Sequence, residues 1–481
     1  MRGHRRHPLT GRRSRLLKTL LAVALLLAAL GVRLGYNAAE PYHAINDAGT
    51  YNRMASMVAQ FGDYHTGSKP RSGAGGSRGP TAYFPPAFPY FLAITDLVDG
   101  HQRGGKAAVG PERTEMAITG TISVALLGLV ALELFGEGTA LVVMALAAFY
   151  PVAVELSGTL VAENLVVALE LAAVWALLRA RRARSRRAWI WIGAAGVLTG
   201  LAALTHENAI LDVIPFGIAA WAVARSRLGT DSRRPWLRAL AAPALLVVAC
   251  GATILPWTIR NAVELHHFVP IADETGITLA GTYNPLSAND PLLPYKWHLF
   301  SHVPQLHYLA HASARYTELH LSNLLETQAL NYISAHPLSP IQAAADNTLR
   351  MFELEGSYAW HASARALSIR PGFAQVGVIS FWVMCVLAIA GLFTRRARRV
   401  PLWVWAIPLL WWITVVPINV ETPRFREPID PFLILLAGCA VTAALSRIVS
   451  GLGRTPVRRG RRTPQLAGDE AQLVQMVQRL T

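Results

Sequence analysis

The sequence predicts an all-α fold: a polytopic membrane protein of about ten transmembrane helices, with juxtamembrane helices and a large loop region on its outer face. Three observations carry this prediction. Of 481 residues, 53% are hydrophobic and only 15% charged, and the mean hydropathy is +0.33, a departure from soluble enzymes toward membrane proteins. Ten apolar stretches recur along the chain, each near the ~17–25 residues needed to cross a hydrocarbon core. Arginine-rich connections precede the first stretch and follow the fourth, sixth, eighth and tenth, all on one face under alternating passage, as basic cytoplasmic loops do.

The elements follow in order. Residues 1–15, including RGHRRHPLTGRRSR, form a basic terminus, and the apolar run 16–36 continues without a small-residue cleavage site. It therefore reads as a retained signal anchor. Residues 37–114 form the first outer segment, with surface helices over Asp47–Gly62 and Pro86–Val98. The second of these is too short to cross, and counting it as a span would put RARRARSRR outside. Between them, GSKPRSGAGGSRGP reads as a solvated linker without the GK[ST] ending of a phosphate-binding loop. Further spans are expected at 115–135, 138–156, 160–178, 188–205, 208–224 and 238–258, then at 374–393, 400–418 and 431–449. The second outer segment, 260–372, is too long and mixed for a bare loop and predicts several short helices. One membrane domain thus covers 16–449, followed by a basic tail, 450–481, where Leu473, Met476, Val477 and Leu480 lie at helical spacing. Alternating passage puts both termini in the cytoplasm of a multi-pass plasma-membrane protein, with the long loops outside.

Composition also excludes some classes. The net charge of +16 could suggest a nucleic-acid partner, but the arginines sit between apolar runs, so no nucleic acid is expected. Cys250, Cys385 and Cys439 fall inside apolar stretches without metal or CxxC spacing and read as small core residues.

Under this topology Asp47, Glu163, His206, Glu207, Arg260, Arg424 and Arg426 all emerge near span ends on the outer side. Charged residues are common there, so the argument rests on their convergence. Asp47 opens the first surface helix, with Tyr51, Met54 and Val58 following at helical spacing; an ordinary capping carboxylate is the plainer alternative. Glu163 stands at the outer edge of the fourth span, while Glu170 lies two turns deeper. The arginines suit phosphate, since guanidinium binds it in two-armed fashion and stays charged near a low-dielectric boundary. Tyr51 and Tyr83 join His206 and Glu207 as candidate substrate contacts. His206, Glu207, His266 and His267 show no recognisable metal spacing, so any metal ligand set is unknown.

The Asp47 segment, YFPPAFPYFLAI, AEN at Glu163, GLAALTHENAIL, LPWTIRN with HHFVPI, and RFREPIDPF occur in an order that resembles the GT-C membrane glycosyltransferases. The likeness is to the bacterial relatives of protein O-mannosyltransferases and of the aminoarabinose transferase, and it spans about residues 16–445. The resemblance implies transfer of a sugar from a polyprenyl-phosphate donor to a glycan, lipid or protein acceptor on the outer face, among membrane lipids. It implies Asp47 as catalytic base or metal ligand, Glu163 as a second catalytic acid, and Arg260, Arg424 and Arg426 as contacts to the donor phosphate. It implies no certain cofactor and leaves a divalent cation open. Two departures stand out: Asp47 is followed by Ala48 where many relatives have a second acid, and His206–Glu207 stands where many carry Arg-Pro. A transporter or flippase of an anionic lipid-linked substrate is the alternative; such proteins put ionisable groups near the midplane. An inactive scaffold of the same architecture is a further one.

Overall fold

The computed structural model describes residues 8–65, 79–99, 109–228 and 235–452. Most of the glycine-rich linker, the first basic residues and the expected tail helix lie outside the described residues.

Twenty α-helices carry the fold among the described residues. The first part of the chain forms α1 (Pro8–Ala39), α2 (Asn46–Phe61), α3 (Ala87–Asp99), α4 (Val109–Phe135), α5 (Glu137–Ala148), α6 (Pro151–Leu156) and α7 (Glu163–Arg182). Next come α8 (Ser185–Thr205), α9 (Val213–Arg225), α10 (Pro235–Arg238) and α11 (Ala241–Glu264). The second outer segment folds as α12 (Thr275–Thr282), α13 (Pro285–Ala288), α14 (His307–Ala312), α15 (Glu318–Ala335), α16 (Ser339–Met351) and α17 (Ser357–Ala366). The chain then returns to the bundle through α18 (Pro371–Leu392), α19 (Leu402–Val415) and α20 (Asp430–Leu452). The one extended pairing described is an isolated bridge, His65 to Pro80.

Among the described residues, seven helical segments are long and apolar enough to cross a bilayer: Arg15–Ala39, Val109–Phe135, Arg186–Thr205, Glu207–Arg225, Pro235–Glu264, Pro371–Leu392 and Asp430–Ser450. They coincide with seven of the ten expected stretches. The other three are helical but differ in form. At 138–156 the chain breaks between α5 and α6, because Pro151 has no amide hydrogen to continue α5 and holds Tyr150 extended at φ −70°, ψ 112°. α7 has spanning length, yet it carries Glu163, Glu170 and Arg179. α19 has 14 residues with Pro408 inside it.

Charge distinguishes the two ends of the bundle. At one end Arg179 and Arg182 reach Glu133 at 3.1 and 2.8 Å, and Lys18 reaches Glu137 at 3.2 Å. These ion pairs join α7 to α4 and α1 to α5. Arg227 at the foot of α9 adds a bond to the Ala183 carbonyl at 2.9 Å. At the opposite end the described parts of segments 37–114 and 260–372 pack around the start of α7 at Glu163. Inside, Val124, Leu127, Val143, Leu171, Val174, Phe216, Leu246, Phe381 and Phe432 belong to one continuous buried cluster. Ile190, Ile218, Val248, Val386 and Ile389 stay exposed, as lipid-facing side chains do. Arg33, inside α1, is buried and bonds Ser157 Oγ at 3.1 Å and the Ala148 carbonyl at 3.3 Å, which satisfies its charge by pulling α1 onto the break between α5 and α6.

The contact between α8 and α11 depends on Gly196 and Gly200, a small-xxx-small pair. A Cβ at Gly196 would lie 2.4 Å from the Leu246 carbonyl oxygen, and one at Gly200 would lie 2.8 Å from that of Cys250. Backbone atoms cannot yield cheaply, so these glycines set the helix separation. Gly196→Leu is expected to lower stability by about 1–3 kcal/mol through overpacking, read as a drop in thermal midpoint in detergent.

In the first outer segment Tyr51 and Met54 of α2 pack on Phe84, Phe88 and Leu92, with ring centroids 4.6 Å (Tyr51–Phe84) and 5.0 Å (Tyr51–Phe88) apart. α2 stops at Gly62, which takes the left-handed φ of 69° and donates its amide to the Val58 carbonyl. Over the same end of the bundle α12 packs on α15, burying Ile277, Ala280, Leu321 and Leu325 with Phe300.

Candidate active site

Asp47 stands in the first turn of α2. It does not serve as the cap: Ile45 occupies that position in extended conformation, and the Asp47 carboxylate turns toward the far end of the chain. The residue before it, Asn46, has a left-handed φ of 51°, which asparagine tolerates better than most residues. Asn46 Nδ2 donates to the Ala366 carbonyl at 3.1 Å, and Ser368, itself at φ 56°, donates its hydroxyl to the His43 carbonyl at 2.7 Å. Two left-handed corners thereby fix the start of α2 against the turn between α17 and α18.

Arg424 lies in a short 3-10 turn, Arg424–Arg426, before α20. Its Nε donates to Glu163 Oε1 at 2.6 Å and its Nη1 to Asp47 Oδ2 at 2.6 Å, while Glu421 Oε2 lies 3.7 Å from Nη1. The side chains of Arg424 and Glu163 are 7% and 1% exposed, whereas that of Asp47 is 41% exposed. A buried guanidinium thus holds one buried acid and one acid open to solvent. Glu163 sits at the N-terminus of α7, where the helix dipole favours a carboxylate, and its Oε2 is buried without a partner.

His206 closes the C-terminus of α8 and brings Nε2 to 3.9 Å from Glu163 Oε1, beyond hydrogen-bond length. Its ring packs against Trp411 and Phe425, and burial pushes the imidazole below its ordinary pKa against the opposing pull of Glu163. Burial pushes the Tyr51 and Tyr83 hydroxyls well above their ordinary values; for Tyr51 the Arg424 guanidinium opposes this while Asp47 adds to it, and for Tyr83 Glu274 and Asp47 add to it.

Glu274 and Glu421 are the acids that sequence reasoning missed. Burial, then the carboxylates of Glu207 and Asp47, pushes Glu274 well above the usual carboxylate range. Burial likewise raises Glu421, although Arg424 opposes it. Lys296 is a further cation from the 260–372 segment; burial lowers its ammonium below the ordinary value, and Glu421 is the carboxylate that most opposes the shift. Glu421 could have been noticed from its position three residues before Arg424 in ETPRFREP. Glu274 and Lys296 had no comparable signal.

The sign of the Glu274 shift gives a pH prediction. Its proton is held more tightly in the folded chain, so the stability tied to that proton is lost as pH rises from about 4.5 through the raised value. Glu274→Gln cannot ionise and escapes that loss. The variant is expected to melt above the wild type at neutral and alkaline pH, with the two curves converging below about pH 4.5.

The structure does not bring Arg260 or Arg426 to Arg424's carboxylates. Arg260 donates to the carbonyls of Thr81 at 2.7 Å and Tyr64 at 3.0 Å and lies over the Trp257 ring at 4.8 Å, which pins the two ends of the linker segment. Arg426 is buried between Glu353 at 3.1 Å and Asp430 at 3.2 Å, with its guanidinium 3.5 Å from the Phe381 ring centroid. Both are therefore committed to protein groups. His266 and His267 are exposed, and among the described residues no three His, Cys, Asp or Glu side chains gather as a metal site would require. Arg424 itself supplies the positive charge between Asp47 and Glu163, so these residues do not fit a divalent cation held between the two acids.

Residues 84–257, roughly a third of the chain, match a family model described as dolichyl-phosphate-mannose-protein mannosyltransferase. The match includes Glu163, His206 and Glu207, while Asp47, Arg260 and Arg424 lie outside it. No curated protein matches the chain. Among solved structures, the archaeal oligosaccharyltransferase AglB from Archaeoglobus fulgidus, in complex with an inhibitory peptide and a dolichol-phosphate, superposes at a TM-score of 0.51 with 12% identity. That likeness covers 95% of this chain and 54% of the other. The apo form of the A. fulgidus oligosaccharyltransferase gives 0.52 with 14% identity, covering 95% and 54%. ArnT from Cupriavidus metallidurans bound to undecaprenyl phosphate gives 0.39 with 14% identity, covering 92% and 81%. The chain thus shares the fold of the oligosaccharyltransferase while spanning about half its length.

Proposed function

We propose that this chain, a multi-pass membrane protein of the GT-C fold, is a glycosyltransferase that moves a sugar from a polyprenyl-phosphate donor to an acceptor hydroxyl at the outer membrane face. The observation that carries the proposal is the junction of Asp47, Glu163 and Arg424, three groups from distant parts of the chain at one solvent-open point. The match to a family described as dolichyl-phosphate-mannose-protein mannosyltransferase supports a lipid-phosphate donor and suggests mannose; the proposal extends to another hexose or a pentose.

In the proposed reaction Asp47 takes the acceptor hydroxyl's proton as the oxygen bonds the anomeric carbon. The bond from that carbon to the phosphate oxygen breaks, and its electron pair leaves with the polyprenyl phosphate. A phosphate anion leaves without a general acid; it needs positive charge where its own charge grows. Arg424 is the guanidinium at the site, and Glu163 fixes its plane by accepting from Nε. Arg260 and Arg426 act as positioning residues, the first by holding the loop ends beside Tyr64 and Thr81, the second by anchoring the turn that carries Arg424. Tyr51, Tyr83, His206, Glu207, Glu274 and Lys296 are the proposed surroundings of the sugar and acceptor.

Orientation follows from charge: the arginine-rich end of the bundle belongs in the cytoplasm, so the Asp47 end faces outward, where no sugar nucleotide is needed. The test is to incubate the purified chain in lipid nanodiscs with a labelled polyprenyl-phosphate sugar and membrane extract as acceptor. Release of unglycosylated polyprenyl phosphate with label on the acceptor supports transfer. A donor that stays intact, or only changes leaflet in vesicles, overturns it in favour of a flippase.

A further inference from the structure

We propose that the groove at the end of the bundle opposite Asp47 is a binding site for the phosphate headgroup of an anionic phospholipid. The groove has a volume of about 830 Å³ and is lined by Arg179, Arg182, Arg184, Arg186, Arg187 and Trp191, with Ala183 and Ile190 completing its wall. Five arginines line it. Glu133 binds two of them, Arg179 and Arg182, and so fixes their direction. Arg184, Arg186 and Arg187 are exposed and have no acidic partner among the described residues.

This concentration of charge is unfavourable unless an anion offsets it. Arg184 caps α8, and Arg186 and Arg187 stand in its first turn, where the helix dipole is already positive and acids would ordinarily be found. A phosphate would satisfy both the guanidiniums and the dipole. The level of the groove selects the source of that phosphate. Ile190, directly below the arginines on α8, is 64% exposed, and Trp189 is also exposed, so apolar surface begins within one helical turn of the charges. A headgroup in the groove would leave its acyl chains beside these residues. Trp191 is braced by the Trp175 ring at 5.3 Å between centroids, giving the groove a rigid indole wall. Basic pockets between transmembrane helices are the recognised form of such lipid sites, and a soluble phosphate would forgo the apolar half.

The site is independent of the transferase proposal. The full chain, purified in a neutral detergent, is titrated with phosphatidylglycerol, phosphatidylcholine or glycerol phosphate and read by native mass spectrometry for retained ligand. Phosphatidylglycerol is expected to be retained over phosphatidylcholine, with retention falling as salt rises. The triple variant R184Q/R186Q/R187Q, altered only at exposed side chains, is expected to bind phosphatidylglycerol on the order of a hundredfold more weakly. Equal lipid retention by the triple variant and the wild type would overturn the proposal. So would glycerol phosphate binding as tightly as the lipid, since that would make the groove a site for soluble phosphate.

Discussion

Asp47→Asn is expected to lower sugar transfer by about two to four orders of magnitude while leaving the fold in place. Asparagine has nearly the same shape and can still accept a hydrogen bond from Arg424, but it cannot take a proton from the acceptor. The stability cost is expected to stay below about 1 kcal/mol, because the Asp47 side chain is 41% exposed and solvent screens its ion pair. Turnover of a labelled polyprenyl-phosphate sugar and a melting curve, measured on the same preparation, separate the two effects. Undiminished turnover would remove Asp47 from the chemistry. A large loss of melting temperature would show instead that the carboxylate is a structural tie.

Arg424→Gln should cost much more. Removing one member of a buried ion pair strands the others, and Glu163, 1% exposed, would lose the guanidinium that its Oε1 accepts from, leaving both oxygens unpaired by arginine. A loss of roughly 3–5 kcal/mol is expected, with transfer abolished as well. Arg424→Lys supplies the second measurement. An ammonium restores charge but cannot donate to Glu163 and Asp47 from two fixed arms of one plane. It should recover part of the melting temperature and little of the turnover. If Arg424→Gln melts with the wild type, the junction of the three side chains does not hold this end of the molecule together.

Much of this architecture was legible in sequence because the bilayer constrains it so strongly. Apolar stretches of spanning length reported the helices, and the short helices around Asp47 and Phe88 announced themselves through helical spacing and insufficient length to cross. The stretch 138–156, expected as one span, is interrupted at Pro151, whose missing amide hydrogen cannot continue α5. The partnerships of individual arginines were hidden. Arg260, Arg424 and Arg426 look alike at span ends, yet one bonds carbonyls, one bridges the first outer helix to α7, and one is enclosed by Glu353 and Asp430. Asp47 and Arg424 are separated by 377 positions, so only the folded path brings them together. Glu274 and Lys296 were hidden for a related reason: their direction depends on how α12–α17 pack, which no periodicity in 260–372 encodes.

The stitch between residues 43–46 and 366–368 has a practical consequence for protein engineering. Because Asn46 and Ser368 each donate across that seam, the aim of the neighbouring carboxylate is registered against the root of α18 rather than against the helices most exposed to an incoming acceptor. A chimera that imports a foreign 300–349 cassette to change acceptor preference therefore leaves this seam in place, together with Met351 and Glu353, which hold Arg426. One whose graft boundary falls between 357 and 368 would inherit a mismatched seam and a misdirected aspartate, unless residues 43–46 were transplanted with it.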